Sequence, residues 1–408
     1  MKKQFRPFIG FLMLTLAVMA CTSPLGGGGE QPSSPDQVAT IVASTLQALT
    51  PAVSDSPTKE PASSDILPHT FYYLGNDKTG LLQVFRIERD GVSIRQVTFE
   101  PVNVNMYDVS LADGSVAYIS NNQLLWVDAN GSGRRILVDG GPVDPDNQFE
   151  GSISNPVFSP NGQAVAYGLH GINTYTLSTG VSSLILPERP SDIALGRPAE
   201  MYIPKNYSPD GKKLLITIAI PNSDGISSGI FLPVANSLVR LTGEGGFFCC
   251  STQGWTSDGS ALYAANPFMG MFGSGLWRVD ATTGMITTLI QSDAGDGTFN
   301  LPDEPYLAPD GQLYYFLAKA PVTDGYIGRA PLQLVRSAPD GVTGIKVLRP
   351  ETFEFLNEAL WAPDAGFVII AFAPIQDVYV GGQAEVTYLD GRPSLILTTF
   401  AQNMKWGP

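Results

Sequence analysis

The 408-residue chain offers little for acid–base or nucleophilic chemistry: its only histidines are His69 and His170, and its only cysteines are Cys21, Cys249 and Cys250. A Ser-His-Asp arrangement would have to use one of those two imidazoles. No G-x-S-x-G turn presents a nucleophile, and no P-loop or H-E-x-x-H segment occurs. Two histidines are too few for a zinc site of the usual kind. Both therefore read as ordinary polar residues, and no catalytic residue, metal or cofactor is expected. Carboxylates are plentiful, and glycoside hydrolysis needs only two at a suitable separation. A carbohydrate-active enzyme using loop carboxylates is thus the alternative to a non-catalytic binding protein.

The acids gather in three places: Asp144, Asp146 and Glu150; Asp293, Asp296, Asp303 and Glu304; and Glu351, Glu354 and Glu358. Converging on a funnel they would favour a cation, a basic peptide or Ca²⁺; spread over a surface they would simply be solvated. No complete Ca²⁺ loop is readable. Apolar contact chemistry is concentrated in Phe268, Met269, Met271 and Phe272 on a Gly-rich stretch, with Phe247 and Phe248 on the connection entering the same segment. Pliable Met and flat aromatics suit adaptable recognition, or fold inward to cover the end of a sheet. The adjacent Cys249 and Cys250 can close a strained ring in an oxidising compartment or stay reduced. Outside Cys21 they are the only cysteines, so no long-range disulfide framework is available.

The remaining thiol, Cys21, belongs to the N-terminus. Met1-Lys2-Lys3-Gln4-Phe5-Arg6 precedes an apolar run from Phe8 to Ala20, the order of an export signal, and that run is shorter than the ~20 residues a spanning helix needs. Val18-Met19-Ala20-Cys21 resembles a lipobox, with Met19 in place of the usual small residue. The resemblance implies removal of residues 1–20, a lipid on Cys21, and an extracytoplasmic protein held at the cell membrane or outer membrane. Residues 21–68 are rich in Gly, Pro and Ser and read as a tether. Within it Ser34-Pro35-Asp36-Gln37 forms a capping box, and apolar residues at helical spacing up to Leu49 predict a short helix over 35–49, as a docking element or a spacer.

Residues 69–408 must supply whatever positions these side chains. Five of the 38 acids and four of the 24 bases precede residue 69, which leaves 33 and 20, a net charge of −13. Such a domain repels nucleic acid. Its organising signal is a repeat. Val109-Ser110-Leu111-Ala112-Asp113-Gly114, Phe158-Ser159-Pro160-Asn161-Gly162, Tyr207-Ser208-Pro209-Asp210-Gly211, Trp255-Thr256-Ser257-Asp258-Gly259, Leu307-Ala308-Pro309-Asp310-Gly311 and Trp361-Ala362-Pro363-Asp364-Ala365-Gly366 align, and their Asp or Asn positions are 48, 49, 48, 52 and 54 residues apart. Pro presets a turn dihedral, Asp or Asn bonds the local backbone, and Gly accepts positive φ. Strand-like runs follow each motif, polar turns end the third run, and a fourth closes the unit. Four short antiparallel strands per repeat predict an all-β fold, a propeller.

These aromatic-Ser-Pro-Asp-Gly units resemble the TolB-type, WD40-like propeller repeat over roughly residues 71–407. The resemblance implies fold and leaves function open, because such repeats occur in transport accessory proteins, peptidase gating domains, polysaccharide lyases and binding proteins. A propeller peptidase would need a hydrolase domain after the repeats, and no length is available for one. Three strands precede the first motif, and a leftover strand, Asn403-Met404-Lys405-Trp406, follows the last unit. Joining them makes seven blades and removes open sheet edges; six is the alternative. Strand parity puts the 1–2 and 3–4 turns on one face and the longer connections on the other, where binding sites usually sit. The expectation is a monomeric, membrane-tethered propeller that binds a protein, peptide or glycan through its long-loop face.

Overall fold

Each turn motif folds through its own side chains. In Ser208-Pro209-Asp210-Gly211 the Gly211 amide donates to the Ser208 carbonyl (2.8 Å), the Ser208 hydroxyl donates to Asp210 Oδ1 (2.7 Å), and the Lys212 amide donates to the same oxygen (3.1 Å). Thr256 and Asp258 repeat the pattern, with 2.6 Å between hydroxyl and carboxylate. The reversal is thus fixed locally, and the residue after it enters a strand already aimed back along its predecessor.

The computed structural model describes residues 65–143, 151–221, 226–243, 252–267, 273–321 and 329–408. The expected lipidation site Cys21, the helix over 35–49, Asp146, Glu150, Phe247, Phe248, Cys249, Cys250, Phe268, Met269, Met271 and Phe272 lie outside them.

The described residues hold twenty-seven strands. Strands β1 (Phe71–Asn76), β2 (Leu82–Ile87) and β3 (Ile94–Gln96) come first. Five four-stranded antiparallel sheets follow. They are β4 (Val104–Val109), β5 (Val116–Ser120), β6 (Gln123–Val127) and β7 (Arg135–Asp139); then β8 (Ser154–Phe158), β9 (Ala164–Gly168), β10 (Gly171–Thr176) and β11 (Val181–Pro187). Next are β12 (Met201–Tyr207), β13 (Leu214–Ala219), β14 (Ile226–Leu232) and β15 (Ser237–Arg240), then β16 (Thr252–Trp255), β17 (Ala261–Asn266), β18 (Gly275–Asp280) and β19 (Ile286–Ile290). The fifth is β20 (Thr298–Leu307), β21 (Leu313–Pro321), β22 (Leu332–Ser337) and β23 (Lys346–Phe353). Finally β24 (Leu356–Trp361), β25 (Phe367–Phe372), β26 (Gly382–Tyr388) and the twelve-residue β27 (Leu395–Trp406) join β1, β2 and β3 in one seven-stranded sheet.

That large sheet is where head meets tail. The first half of β27 pairs with β26 (Val386 opposite Leu395, Gly382 opposite Ala401), and its second half pairs with β1 (Leu74 opposite Gln402, Phe71 opposite Trp406). Divided at β27, the sheet supplies two four-stranded units, seven in all; counted as hydrogen-bonded sheets, the total is six. The first strand of each unit touches that of a neighbour, β4 with β8, β8 with β12, β16 with β20, β20 with β24, and β27 with β24 and β4. The architecture is a β-propeller around an axis lined by these inner strands.

The core lies between units. Seven apolar clusters each join consecutive units, for example Ala117, Leu124, Phe158 and Val165 between β5–β6 and β8–β9, or Phe316, Leu334, Trp361 and Val368 between β21–β22 and β24–β25. Tryptophans at the ends of three inner strands add a polar staple. The Trp255 indole donates to Asn206 Oδ1 (2.8 Å), Trp361 to the Glu304 carbonyl (2.9 Å) and Trp406 to the Trp361 carbonyl (2.8 Å). Each crosses to the preceding unit, so the repeat unit encodes the spacing between sheets as well as the turn.

The long-connection face is less uniform than parity predicts. The link from β5 to β6 is only Asn121-Asn122, with φ of 50° and 54°, the two left-handed residues of a tight hairpin. His170 takes φ 51° in the equally short link between β9 and β10 and is solvent-exposed. The longer links between second and third strands belong to the later units, and the longest links between units to the earlier ones, 140–153 and 188–200.

Candidate functional site

The inner strands are interrupted at one level. Register shifts occur in β4 between Val104 and Met106, β8 between Ser154 and Val157, and β12 between Pro204 and Asn206. They recur in β20 between Asp303 and Tyr306, β24 between Leu356 and Glu358, and β27 between Gln402 and Lys405. A bulge adds a residue with nothing opposite it and re-aims its side chain. Polar residues fall at these places: Asn105, Asn155, Lys205, Glu304, Asn357 and Asn403. Asn155, Glu304 and Asn403 adopt left-handed φ values of 41°, 49° and 52°.

Four successive inner strands, β27, β4, β8 and β12, enclose an axial cavity of about 270 Å³ whose walls include Tyr107, Asn155, Pro156, Lys205, Asn403 and Lys405. Tyr107 donates to the Asn403 carbonyl (2.6 Å), and Asn155 Nδ2 donates to the Pro204 carbonyl (3.0 Å). Lys405 Nζ pairs with Asp108 Oδ1 at 2.8 Å, while Asp108 Oδ2 accepts the Phe158 amide at 2.7 Å. Beyond Lys405 the cavity widens on the turn face into a bowl of about 540 Å³ with Leu111, Phe158, Tyr207, Leu360 and Trp406 in its wall.

Lys205 reaches water in the cavity yet is surrounded by its walls; that burial, reinforced by Lys405, holds its ammonium below the usual lysine range. At the β27 wall burial pushes Glu358 up to about 7, against the opposing pull of the Met404 and Asn403 amides and of Lys405. Glu304 is raised well above the ordinary carboxyl range, first by burial and then by Asp303 and Glu358.

A second set of pockets lies at the ends of the long connections. Leu301, Asp303, Arg329, Leu332 and Phe355 line one, with Pro267 at its edge. The other, about 450 Å³, is walled by Phe353, Glu354, Phe355, Phe372 and Pro374. Phe355, at φ 55°, is common to both. Arg329 ties the region together: its guanidinium donates to the Val378 carbonyl (2.9 Å), the Leu356 carbonyl and Asn357 Oδ1 (2.7 Å), and lies 5.3 Å from the Tyr379 ring centre. Ile375, Tyr379 and Val380 alongside are 57%, 51% and 60% exposed.

Of the predicted site residues, Asp303 and Glu304 are described. Both sit buried inside β20, not on a solvated connection. Glu358 in β24 joins them electrostatically, whereas Asp296 is exposed and pairs with Lys319 (3.0 Å), and Glu351 pairs with Arg349. Lys205, Lys405, Asn155, Asn403 and Arg329 were not anticipated. A signal existed for some: Asn155, Lys205 and Glu304 stand five or six residues before the motif Asp or Asn, each beside a proline (Pro156, Pro204, Pro305). Proline inside a strand marks a bulge or an edge.

No family model and no curated protein matches the sequence. Solved structures do resemble the fold. A prolyl endopeptidase structure aligns with 91% of this chain and 56% of its own at 13% identity and a TM-score of 0.51. TolB from Acinetobacter baumannii aligns over 80% and 79% at 16% identity and a TM-score of 0.42, and an oligogalacturonate lyase from Vibrio parahaemolyticus over 72% and 81% at 13% and 0.49. At such identities the likeness concerns fold alone, and the chain spans just over half of the endopeptidase.

Proposed function

We propose that this propeller is a non-catalytic binding module of the cell envelope, held at a membrane through lipid on Cys21, that takes a protein or peptide through its long-loop face. The carrying observation is the pair of pockets of mixed apolar and charged lining, about 20 and 450 Å³, that meet at Phe355, bordered by exposed Ile375, Tyr379 and Val380. Exposed apolar groups beside a walled pocket are the usual form of a recognition surface. Recovery of partners from envelope extracts is the test, comparing wild type with an Ile375→Asp/Val380→Asp double variant. The variant is expected to recover about tenfold less at unchanged melting temperature; equal recovery overturns the reading. Cys21→Ser should move the protein from the membrane to the soluble fraction.

One observation favours a second reading, a carbohydrate-active enzyme. Glu304 and Glu358 stand on successive inner strands, β20 and β24, both are pushed up, and Glu358 at about 7 suits an acid or base near neutrality. Glycan hydrolysis abolished by Glu358→Gln would establish it.

A further inference from the structure

We infer that the axial cavity at Lys205 is a binding site for a small organic monoanion, a carboxylate. The site goes beyond the long-loop recognition proposed above and uses different residues. Lys205 is presented by the bulge of β12 into a cavity of about 270 Å³, and among the described residues its ammonium has no hydrogen-bond or ion-pair partner. The other ammonium there, Lys405, is already neutralised by Asp108 at 2.8 Å. Lys205, Lys405 and Asp108 together carry one positive unit, which suits one carboxylate better than a phosphate dianion.

A cavity of about 270 Å³ admits a small organic molecule and not a macromolecule. Its walls are mixed: Met106, Pro156 and Val157 offer apolar surface, while the Asn155 and Asn403 side chains offer donors and acceptors. That combination suits an organic acid with a short polar or aliphatic body. Lys205 reaches water in the cavity and holds no counter-charge among the described residues, so an anion that fills the cavity gains the pairing. Glu358 stands at the β27 wall, where it accepts the Met404 amide, and the charged neighbour that perturbs Lys205 is Lys405.

Calorimetric titration of the full chain with lactate and gluconate tests the assignment, against lactamide and glycerol as neutral bodies and inorganic phosphate as the alternative anion. A monocarboxylate should bind one per protein and raise the melting temperature, the neutral compounds should not, and phosphate should bind more weakly. Lys205→Gln should weaken carboxylate binding by about tenfold or more. Its ligand-free melting temperature should be unchanged or higher, and Lys205→Arg should retain binding. Absence of binding to every carboxylate, equal binding by Lys205→Gln, or phosphate binding as tight as carboxylate would each overturn it. None of these outcomes bears on the Phe355 surface, which the titration leaves untouched.

Discussion

At the scale of single residues, the turn motif separates two jobs of glycine. Gly162 and Gly311 both hold left-handed φ, 69° and 77°, but a Cβ on Gly162 would stand 2.5 Å from Ser110 Oγ of the preceding unit, whereas one on Gly311 meets nothing within 4 Å. Gly311→Ala should cost about 1–2 kcal/mol from backbone strain alone, and Gly162→Ala clearly more, as measured by chemical denaturation. Ala365 occupies the same place at φ 56° in the last motif. Ala365→Gly should stabilise, by up to about 1 kcal/mol once the entropy of the unfolded glycine is subtracted. Titration gives a second residue-scale prediction. Asp210 and Asp258 are held down to about 2 by their turn hydroxyls, and Glu200 is held below its ordinary range by Arg240, Tyr202 and Arg189 against the opposing effect of burial. These groups favour folding above their unfolded values and lose that contribution as pH falls toward 2. Glu358 acts oppositely: raised from 4.5 to about 7, it binds more protons when folded, so stability declines as pH rises through that interval. The melting temperature should peak near pH 4 to 5, and Glu358→Gln should flatten the alkaline side of the profile.

At the scale of elements, the sequence disclosed the strands and hid their irregularities. The Ser-Pro-Asp-Gly turns and the alternating runs after them were readable because their hydrogen bonds are local, confined to five or six residues as in Ser208 to Lys213. Bulges are set by how one strand meets its neighbours, so Lys205, Asn155 and Asn403 looked like ordinary strand residues, and Asp303 and Glu304 looked like loop acids. The prolines beside three of the bulges were the accessible clue. The tryptophans were legible as repetition but not as staples. Trp361→Phe keeps most of the buried area and removes the bond to the Glu304 carbonyl; it should cost about 1–2 kcal/mol. Trp361→Ala, which empties a site also packed by Tyr306, Tyr314 and Phe316, should cost about 3–5 kcal/mol. Thermal denaturation of the pair separates hydrogen bond from packing.

At the scale of the whole molecule, head-to-tail pairing was legible because three strands before the first motif lacked an inner partner and one after the last unit lacked a sheet. The axial cavity was not, since it is assembled from residues 107, 155, 205 and 405, roughly fifty or more apart in sequence and brought together only by closure. Deleting residues 402–408 should remove the inner strand against β1, take Met404 out of the cluster and expose Phe71, Tyr73 and Ala401. The expected result is loss of the cooperative melting transition and binding of a hydrophobic dye.

Among the twenty-seven strands, the one that ties the first sheet strands to the last is also the last of them in chain order. A nascent chain therefore carries two unsatisfied edges, at β1 and at β26, until residues 395–406 emerge. The ring cannot close unit by unit as the polypeptide appears; it waits for that strand, and in that interval factors that shield bare strand edges have their strongest claim on the chain.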